Sequence, residues 1–567
     1  MYTLSFYRLF SFTTMKLLLI LTFTLLTRFS ALAQSGTWRY ATPVKDINGV
    51  MDVATGPDGN IFFTGRFMGS LQLGTTLLTS KSTGWCLYIA KCKPNGKVLH
   101  VTTLEDALDG LPYQITVDKA GNSYVTGTYR GTLTYRSGRS VTTITTISKD
   151  NPSGNTNIFL VKCTASGKVA WVRQAGSADP VEPSSPSVRG LAVDQAGNSY
   201  IAGPSSPVKF QFGPNLTVKG GRYQGFVASY DRTGRCRWGR VFTPLPGGFG
   251  TSGAGGVGVD NTGNCYVIGS SDRGWTLDGI TLRVPQSTNY LARLDSRQGK
   301  VIWALATPGD RGGQVIGLDK TGDIYIAGYF TGTVALTKKV SLTSAGDADG
   351  FVARYDPNGE VDWATALGGS GYDLVSDIAV DPKSRKVFVA GTGNFTSLGT
   401  NQAFLAQLGP EGQVQYQEKV RGTGTSSGFQ LAIDEHNTIY IIGVFTGSCT
   451  FGKLSLNTQF TQGYFGCYQI SGPRTTGRDE SKPIALAVDI YPNPAQNQFT
   501  LRLSKQVQAG QATLYNHLGR AVLSHAFQPG AELAAVNFDT ATLPDGLYVL
   551  RLVNPKATTT RQVVVRH

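Results

Sequence analysis

The sequence predicts an all-β protein of more than one domain. Glycine accounts for 70 of its 567 residues and proline for 25, a content of turn-forming residues that is high for a helical chain. Between these turns lie short runs in which apolar and polar residues alternate with a period of two, as they do in strands. Because the chain is too long for one ordinary domain, we expect its sheets to be divided between domains.

Residues 1–33 have the composition of a secretory signal peptide. An apolar run at 17–26 follows a basic residue, and Ala31 and Ala33 form a small-x-small cleavage pattern before Gln34. Met15 is a candidate for the true start, because it opens a signal peptide of normal length. This segment predicts export from the cytoplasm.

One unit recurs along residues 34–471. It consists of an apolar strand ending in Asp, a glycine turn, a strand ending in Gly, a variable hairpin and two further strands. Three looser copies cover 53–65, 378–391 and 431–443. Since a four-stranded antiparallel sheet cannot bury both faces alone, seven such units predict a seven-bladed β-propeller. The four clear copies carry the turn carboxylates Asp118, Asp194, Asp260 and Asp319.

The two ends of this region are predicted to share the seventh blade. The last copy ends after three strands near Ser471, whereas residues 36–40 match the pattern of a fourth strand. An N-terminal strand in that place would remove two open sheet edges. A tryptophan recurs in the fourth strands, and we interpret it as a packing residue between blades: Trp38, Trp171, Trp238, Trp303 and Trp363. His100 and Tyr416 take this position in the other two copies.

The repeated unit resembles the SBBP β-propeller repeat. The V-D-x-x-G-N-x-Y-V-x-G core of that repeat is matched at 117–127, 193–203 and 259–269. The resemblance implies a propeller in an exported bacterial protein, and it implies no particular chemistry.

After a polar, turn-rich linker at 472–485, residues 486–567 contain six or seven short strands, which predict a small Ig-like β-sandwich. Two of its motifs resemble the type IX (Por) secretion sorting domain of Bacteroidota: Tyr491, Pro492, Asn493 and Pro494, and then Gly546, Leu547 and Tyr548. The resemblance implies that the type IX machinery carries the chain from the periplasm through the outer membrane. A sortase would then remove the domain, leaving the protein secreted or at the cell surface. The alternative is a plain carbohydrate-binding or Ig-like sandwich.

No catalytic, cofactor or metal site is predicted from linear motifs. The seven cysteines include no C-x-x-C pair and the five histidines no H-x-x-x-H pair. A G-x-G-x-x-G match at 253–258 opens no helix, and a G-x-S-x-G match at 424–428 lies in a loop. The repeated Asp is expected to accept hydrogen bonds from its own turn rather than to bind calcium. We expect buried thiols, with a Cys449–Cys467 disulfide as the alternative.

Three functions are compatible with these features. The first is a non-catalytic binding or adhesion module for a glycan, lipopolysaccharide or a protein. The second is a secreted carbohydrate-active enzyme with carboxylates in the channel, for which Asp373 and Asp377 are the candidate acids. The third is a purely structural surface protein. The net charge of +15 favours acidic partners, but basic residues are scattered rather than clustered with aromatic ones, so a nucleic acid is not expected.

Overall fold

The computed structural model describes residues 36–470 and 488–567 with short internal gaps. All described residues are in strands, turns or loops, and none is helical. The predicted signal peptide and linker lie outside the described residues. The gaps are 45–48, 74, 81, 148–154, 178–184, 206–208, 220–223, 248–251, 285–286, 308, 310–314, 382–383, 395–400, 504–508, 517–519, 528–534 and 554–557.

The chain divides into two compact units, Met1–Arg474 and Thr475–His567, which we call the sheet unit and the C-terminal unit. The first strands of the sheet unit are β1 (Gly36–Val44), β2 (Asp52–Thr55), β3 (Ile61–Phe67), β4 (Ser70–Leu73), β5 (Thr76–Thr79), β6 (Trp85–Cys92), β7 (Val98–Val117), β8 (Ser123–Ser137), β9 (Ser140–Thr145), β10 (Asn157–Cys163), β11 (Val169–Ser177), β12 (Gly190–Val193), β13 (Ser199–Ser205), β14 (Lys209–Gly213), β15 (Leu216–Lys219), β16 (Gln224–Tyr230) and β17 (Cys236–Pro244).

The remaining strands of this unit are β18 (Ser252–Val259), β19 (Cys265–Ser271), β20 (Gly274–Leu277), β21 (Ile280–Arg283), β22 (Thr288–Leu294), β23 (Val301–Thr307), β24 (Val315–Leu318), β25 (Ile324–Phe330), β26 (Thr333–Ala335), β27 (Ser341–Thr343), β28 (Asp349–Tyr355), β29 (Val361–Leu367), β30 (Leu374–Val380), β31 (Val387–Gly393), β32 (Gln402–Leu408), β33 (Val414–Lys419), β34 (Arg421–Gly422), β35 (Ser426–Ile433), β36 (Thr438–Phe451) and β37 (Leu454–Ile470).

Antiparallel pairing assembles these strands into a succession of four-stranded meanders. Strand β7 serves two of them, because its first half pairs with β6 and its second half with β8. We number the meanders as sheets one to seven: β2-β3-β6-β7, β7-β8-β10-β11, β12-β13-β16-β17, β18-β19-β22-β23, β24-β25-β28-β29, β30-β31-β32-β33 and β35-β36-β37-β1.

The first strand of each sheet lies beside the first strands of the neighbouring sheets. Contacts run in the order β2, β7, β12, β18, β24, β30 and β35, and β35 in turn contacts β2. These seven first strands, which we call the innermost strands, therefore contact one another in a continuous cycle, although the hydrogen-bonded sheets themselves do not close.

Sheet seven combines the two ends of the unit. Strand β1 pairs with β37 from Gly36 opposite Ile470 to Val44 opposite Gly463, with one irregularity between Trp38 and Tyr40. The fourth strand of this sheet thus comes from the start of the chain, and the other three come from its end.

A close backbone approach explains the glycine within the second strand, which continues past this residue rather than ending there, as in β8 and β19. A side-chain carbon at Gly127 would lie 2.2 Å from the carbonyl oxygen of Leu111, and one at Gly269 would lie 2.1 Å from that of Gly253. Any larger residue would push the innermost strand away from its neighbour. The second and third strands are buried on both faces, as in β16, where all seven residues are buried.

The C-terminal unit contains two sheets around one core. Strands β38 (Val488–Tyr491), β39 (Gln498–Leu503) and β42 (Ala535–Asp539) form one sheet, and β40 (Gly510–Tyr515), β41 (Ala521–Phe527), β43 (Gly546–Val553) and β44 (Thr558–Val565) form the other. The core includes Phe499 and Phe538 from the first sheet and Leu514, Leu550 and Val563 from the second.

Candidate functional site

The repeated turn Asp is engaged by its own turn. Oδ1 of Asp118 accepts the backbone N–H groups of Ala120 and Asn122 at 2.9 Å each, and Oδ2 accepts the Tyr124 hydroxyl at 3.1 Å. The glycine of this turn, Gly121, has a φ of 78°, a conformation that suits glycine. The same pattern recurs at Asp194, Asp260 and Asp319.

The fourth-strand tryptophans connect neighbouring sheets. The indole N–H of Trp171 donates to the carbonyl of Arg232 at 3.2 Å, that of Trp238 to Ser296 at 3.0 Å, and that of Trp363 to Pro410 at 2.8 Å. Each acceptor lies in the turn between the third and fourth strands of the next sheet.

The glycine of that acceptor turn leaves room for the ring. A side-chain carbon at Gly299 would lie 2.5 Å from the Trp238 indole, and one at Gly359 would lie 3.3 Å from the Trp303 indole. Trp303 therefore packs like the other three, and His100 and Tyr416 share their register, opposite Lys91 and Gln407.

Trp38 departs from the predicted equivalence. It lies opposite Tyr468, one position out of register with the other four tryptophans, because the bulge at Arg39 comes after it rather than before it. It packs inside its own sheet, 5.0 Å from the ring of Phe451. Tyr40 makes the connection to sheet one instead, since its hydroxyl donates to the carbonyl of Pro94 at 3.3 Å.

A polar arc lies on the innermost strands. One position recurs in every first strand: it lies four residues before the turn Asp or, in sheet one, four residues before Gly56. Sheets three to five have Gly190, Gly256 and Val315 at this position. Four consecutive sheets have polar side chains there, which we call the polar arc: Asp377 in sheet six, Gln430 in sheet seven, Asp52 in sheet one and Gln114 in sheet two.

Both carboxylates of the arc bridge neighbouring strands. Oδ2 of Asp52 accepts the N–H of Ile115 in sheet two at 2.7 Å, and Oδ2 of Asp377 accepts the N–H of Leu431 in sheet seven at 2.8 Å. The other oxygen of each accepts the N–H of the residue that follows it. The two acids thus occupy equivalent positions on either side of Gln430.

The surroundings of the two acids of the arc, Asp377 and Asp52, favour their protonated forms. Burial raises the pKa of Asp377 to about 7. Burial, and then the nearby Asp377 carboxylate, raise the pKa of Asp52 well above its ordinary value. Oε1 of Gln114 is enclosed without a hydrogen-bond partner among the described residues. The side chain of Phe429, beside Gln430, is 43 % exposed.

The sequence identified Asp377 but missed Asp52. Aligning the seven copies on the position four residues before the turn would have found it, because only sheets one and six have Asp there. The other candidate acid, Asp373, is fully buried in the loop before β30, where it accepts the N–H of Gly369 at 2.7 Å. Burial raises the pKa of Asp373 as well.

An apolar groove lies beside β1. It has a volume of about 1030 Å³, within the usual size of ligand pockets. Its walls come from β1, sheet one and β37, and include Phe63, Phe67, Met68, Val98 and Phe465.

In the C-terminal unit, the first motif holds the last strand. The Asn493 side chain donates to the carbonyl of Gln562 at 3.0 Å and accepts the N–H of Val564 at 2.8 Å. Ala495 continues the pairing, since its N–H donates to the carbonyl of Val564 at 2.7 Å and its carbonyl accepts the N–H of Arg566 at 2.8 Å. Cis peptide bonds precede Pro492 and Pro494.

Two hydrogen bonds lie at the second motif and the residue before it. The Tyr548 hydroxyl donates to the carbonyl of Pro544 at 2.8 Å, and the Asp545 carboxylate accepts the N–H of His567 at 3.0 Å. Leu547 of the same motif is different, because 51 % of it is exposed and its side chain does not belong to the core.

Several features are absent from the part of the chain that the structure describes. It contains no group of three or more His, Cys, Asp or Glu residues arranged to hold a metal ion. It also contains no helix that could span a membrane. The seven cysteines are free, so Cys449 and Cys467 are not bridged, and burial raises the pKa of thiols such as Cys92 and Cys163, each to about 12.

Residues 489–566 match the family model described as the secretion system C-terminal sorting domain. This domain marks proteins that type IX secretion exports to the cell surface or the medium, and it implies an interaction with that machinery. Among curated proteins, none matches the chain.

Several solved structures match this chain at low structural similarity. A gluconolactonase of Xanthomonas campestris is 10% identical, with 77% of this chain and 98% of that one covered and a TM-score of 0.30. A glycoside hydrolase family 32 protein of Bifidobacterium adolescentis is 11% identical (77% and 81% covered, TM-score 0.25), and latent PorU of Porphyromonas gingivalis is 10% identical (67% and 32%, TM-score 0.14). With TM-scores this low, the three structures support no conclusion about this chain.

Proposed function

We propose that the mature protein is a seven-bladed β-propeller that type IX secretion delivers and that binds a glycan at the polar arc without cleaving it. The proposal has three parts: the shape of the sheet unit, the way it is delivered, and the ligand.

The cycle of innermost strands supports the propeller. Seven four-stranded meanders, whose first strands contact one another from β2 round to β35 and back to β2, have the connectivity of propeller blades. The pairing of β1 with β37 would close the ring by joining both ends of the unit in one blade. The two sheets of the C-terminal unit, with their common core, agree with an Ig-like sandwich.

The sorting domain and the signal-peptide pattern support delivery in two steps. Residues 1–33 would direct the chain to the periplasm, and the C-terminal unit would then engage the type IX machinery. A sortase would cut within 472–485, so the propeller alone would remain outside the cell.

The polar arc is the observation that carries the ligand assignment. Carboxylate and amide side chains are suited to hydrogen-bonding sugar hydroxyls, and Phe429 offers an exposed ring next to Gln430. Both oxygens of Asp52 and Asp377 already accept backbone N–H groups. This places the acids in a supporting role and favours binding over catalysis.

The second candidate is a carbohydrate-active enzyme. The raised pKa values of Asp52 and Asp377 favour it, because a glycosidase needs one carboxylic acid that keeps its proton near neutral pH.

A glycan array with the mature protein recovered from the medium separates these functions. Binding should be lost in Phe429→Ala and Gln430→Ala and kept in Phe460→Ala, which removes a ring that is 77 % exposed elsewhere on the unit. Released sugar products that disappear in Asp377→Asn would favour the enzyme instead. Neither retention nor products on any glycan would contradict both.

A further inference from the structure

We propose that the outer face of β43 and β44 is the surface by which the C-terminal unit docks on the type IX secretion machinery. This inference rests on the delivery step proposed above and deepens it, because it assigns the contact to one face of the domain. We call this surface the β43–β44 face and define it as Leu547, Val549, Arg551, Val553 and Val564.

The burial pattern of β43 separates two sets of side chains. Tyr548, Leu550 and Leu552 are buried in the core, whereas Leu547, Val549 and Val553 alternate with them and are 51, 40 and 40 % exposed. Val564 of β44 lies opposite Leu547 in the pairing and is also exposed. The exposed apolar side chains are therefore neighbours on one sheet face.

This face is unusual for an antiparallel sheet beside water. The solvated side of such a sheet is ordinarily polar, and the adjoining strands follow that rule, since Gln511 and Thr513 of β40 and Ser524 of β41 lie on it. The exposed aliphatic side chains of this face are Leu547, Val549 and Val553 of β43 and Val564 of β44, whereas Gln562, opposite Val549 on β44, is polar. Leu547, Val549 and Val564 are direct neighbours, and a contiguous apolar patch of this kind marks an interaction surface.

The charge on the face indicates the chemistry of the partner. Arg551 lies between Val549 and Val553 on β43, and neither β43 nor β44 contains an acidic residue. Arg566, directly after β44, is exposed as well. The complementary surface is therefore apolar, with a carboxylate placed to meet Arg551.

The motif itself argues for a partner in the secretion machinery rather than a second copy of the chain. Tyr548 of the second motif packs in the core, and Asn493 of the first motif fastens the last strand. Leu547 belongs to the same motif, and yet its side chain is directed to solvent. A residue of the sorting motif whose side chain lies outside the core is available for recognition.

The test is secretion of the full chain from a type IX-competent bacterium. Three forms are compared: Leu547→Ser with Val549→Thr on the face, Leu77→Ser as a control that changes an exposed leucine of the sheet unit, and deletion of 486–567. The face variant should lower the secreted fraction about tenfold or more, as expected when apolar contacts at the centre of an interface are lost. It should accumulate in the periplasm with the C-terminal unit attached, whereas the control should be secreted normally.

Arg551→Glu keeps the test decisive if the apolar variant is digested more easily by protease, which would indicate a folding defect. This charge reversal changes only an exposed position, so it should block secretion while the protease resistance of the domain stays unchanged. Arg551→Lys should restore secretion. Normal secretion of a folded Arg551→Glu chain would overturn the proposal.

Two other outcomes separate the alternatives. Normal secretion after deletion of 486–567 would refute the delivery step itself. If the deletion blocks secretion but the face variants are secreted, only the docking face is refuted. Alternatively, the full chain is a dimer by mass that becomes monomeric in the face variants alone. If those variants are also secreted normally, the face is assigned to a second copy of the chain.

Discussion

The sheet unit and the C-terminal unit fasten their terminal strands in different ways. In the sheet unit, β1 pairs along its whole length with β37, and the backbone provides the contacts. In the C-terminal unit, the last strand is held on its outer edge by the side chain of Asn493 and by a short bridge at Ala495. The comparison teaches that the open side of β37 is covered by a whole strand, whereas the outer edge of β44, which pairs with β43 on its other side, is covered only by contacts of Asn493 and Ala495.

Deleting Gly36–Val44 should have the largest effect on stability. The deletion leaves one edge of the third strand of sheet seven without a partner and uncovers side chains such as Tyr464 and Tyr468, which are 1 % exposed. Loss of this burial should lower the free energy of unfolding by more than about 5 kcal/mol. Thermal unfolding of the sheet unit measures the change, and an unaltered melting temperature would refute closure by β1.

Trp238→Ala should cost about 3 to 5 kcal/mol in the free energy of unfolding, the range for buried aromatic residues. Trp238 is 3 % exposed, and its N–H bond to Ser296 would also be lost. Tyr40→Phe is the comparison variant at the contact between sheet seven and sheet one. Because it removes one hydrogen bond and keeps the ring, it should cost only about 0.5 to 1.5 kcal/mol. Equal costs in denaturant titrations would contradict the larger contribution expected from the buried indole than from the Tyr40 hydroxyl.

Asp377 should make the sheet unit less stable as pH rises. Its pKa is about 7 in the folded protein, against an ordinary value of 3.8. Between these values the unfolded chain releases a proton that the folded chain keeps, so stability falls as pH rises through this window. The loss is on the order of 4 kcal/mol and is complete above the folded pKa. Urea unfolding from pH 4 to 8 should show a weaker decline in Asp377→Asn, and identical slopes would show that this carboxyl group keeps its ordinary pKa.

Asn493→Ala should cost about 1 to 2 kcal/mol for two exposed hydrogen bonds, and that effect should be confined to the last strand. The amide proton of Val564, which Asn493 accepts, should exchange faster with solvent in this variant. Thr500→Ala is the control, because the Thr500 side chain bonds to Asn537 within the sheet that does not contain β44. Equally slow exchange in both variants would mean that the motif does not hold the strand.

Local features of the fold could be predicted from the sequence, whereas contacts between distant repeats could not. The turn Asp, its glycine and the strand around Tyr124 are visible because one short segment contains all their partners. The position of Trp38 was misjudged, since the bulge at Arg39 reverses the face on which the side chain lies and leaves no mark in the sequence. Bulges of this kind follow from pairing geometry.

The polar arc is likewise a contact between distant repeats, so the sequence alone could not predict it. Asp52 and Asp377 are 325 positions apart in the sequence, and only the cycle of innermost strands brings their carboxylates close enough for one to raise the pKa of the other. The sequence identified the sorting domain correctly because both of its motifs are contiguous. It could not identify Leu547 as an exposed residue within one of them.

Peptide mass spectrometry of the protein recovered from the culture medium tests the account most directly. If the C-terminal unit serves only for delivery, peptides from 36–470 will be abundant, peptides from 488–567 will be absent, and the new C-terminus will lie within 472–485. A secreted protein that still contains β43 and β44 would contradict removal of the C-terminal unit after export.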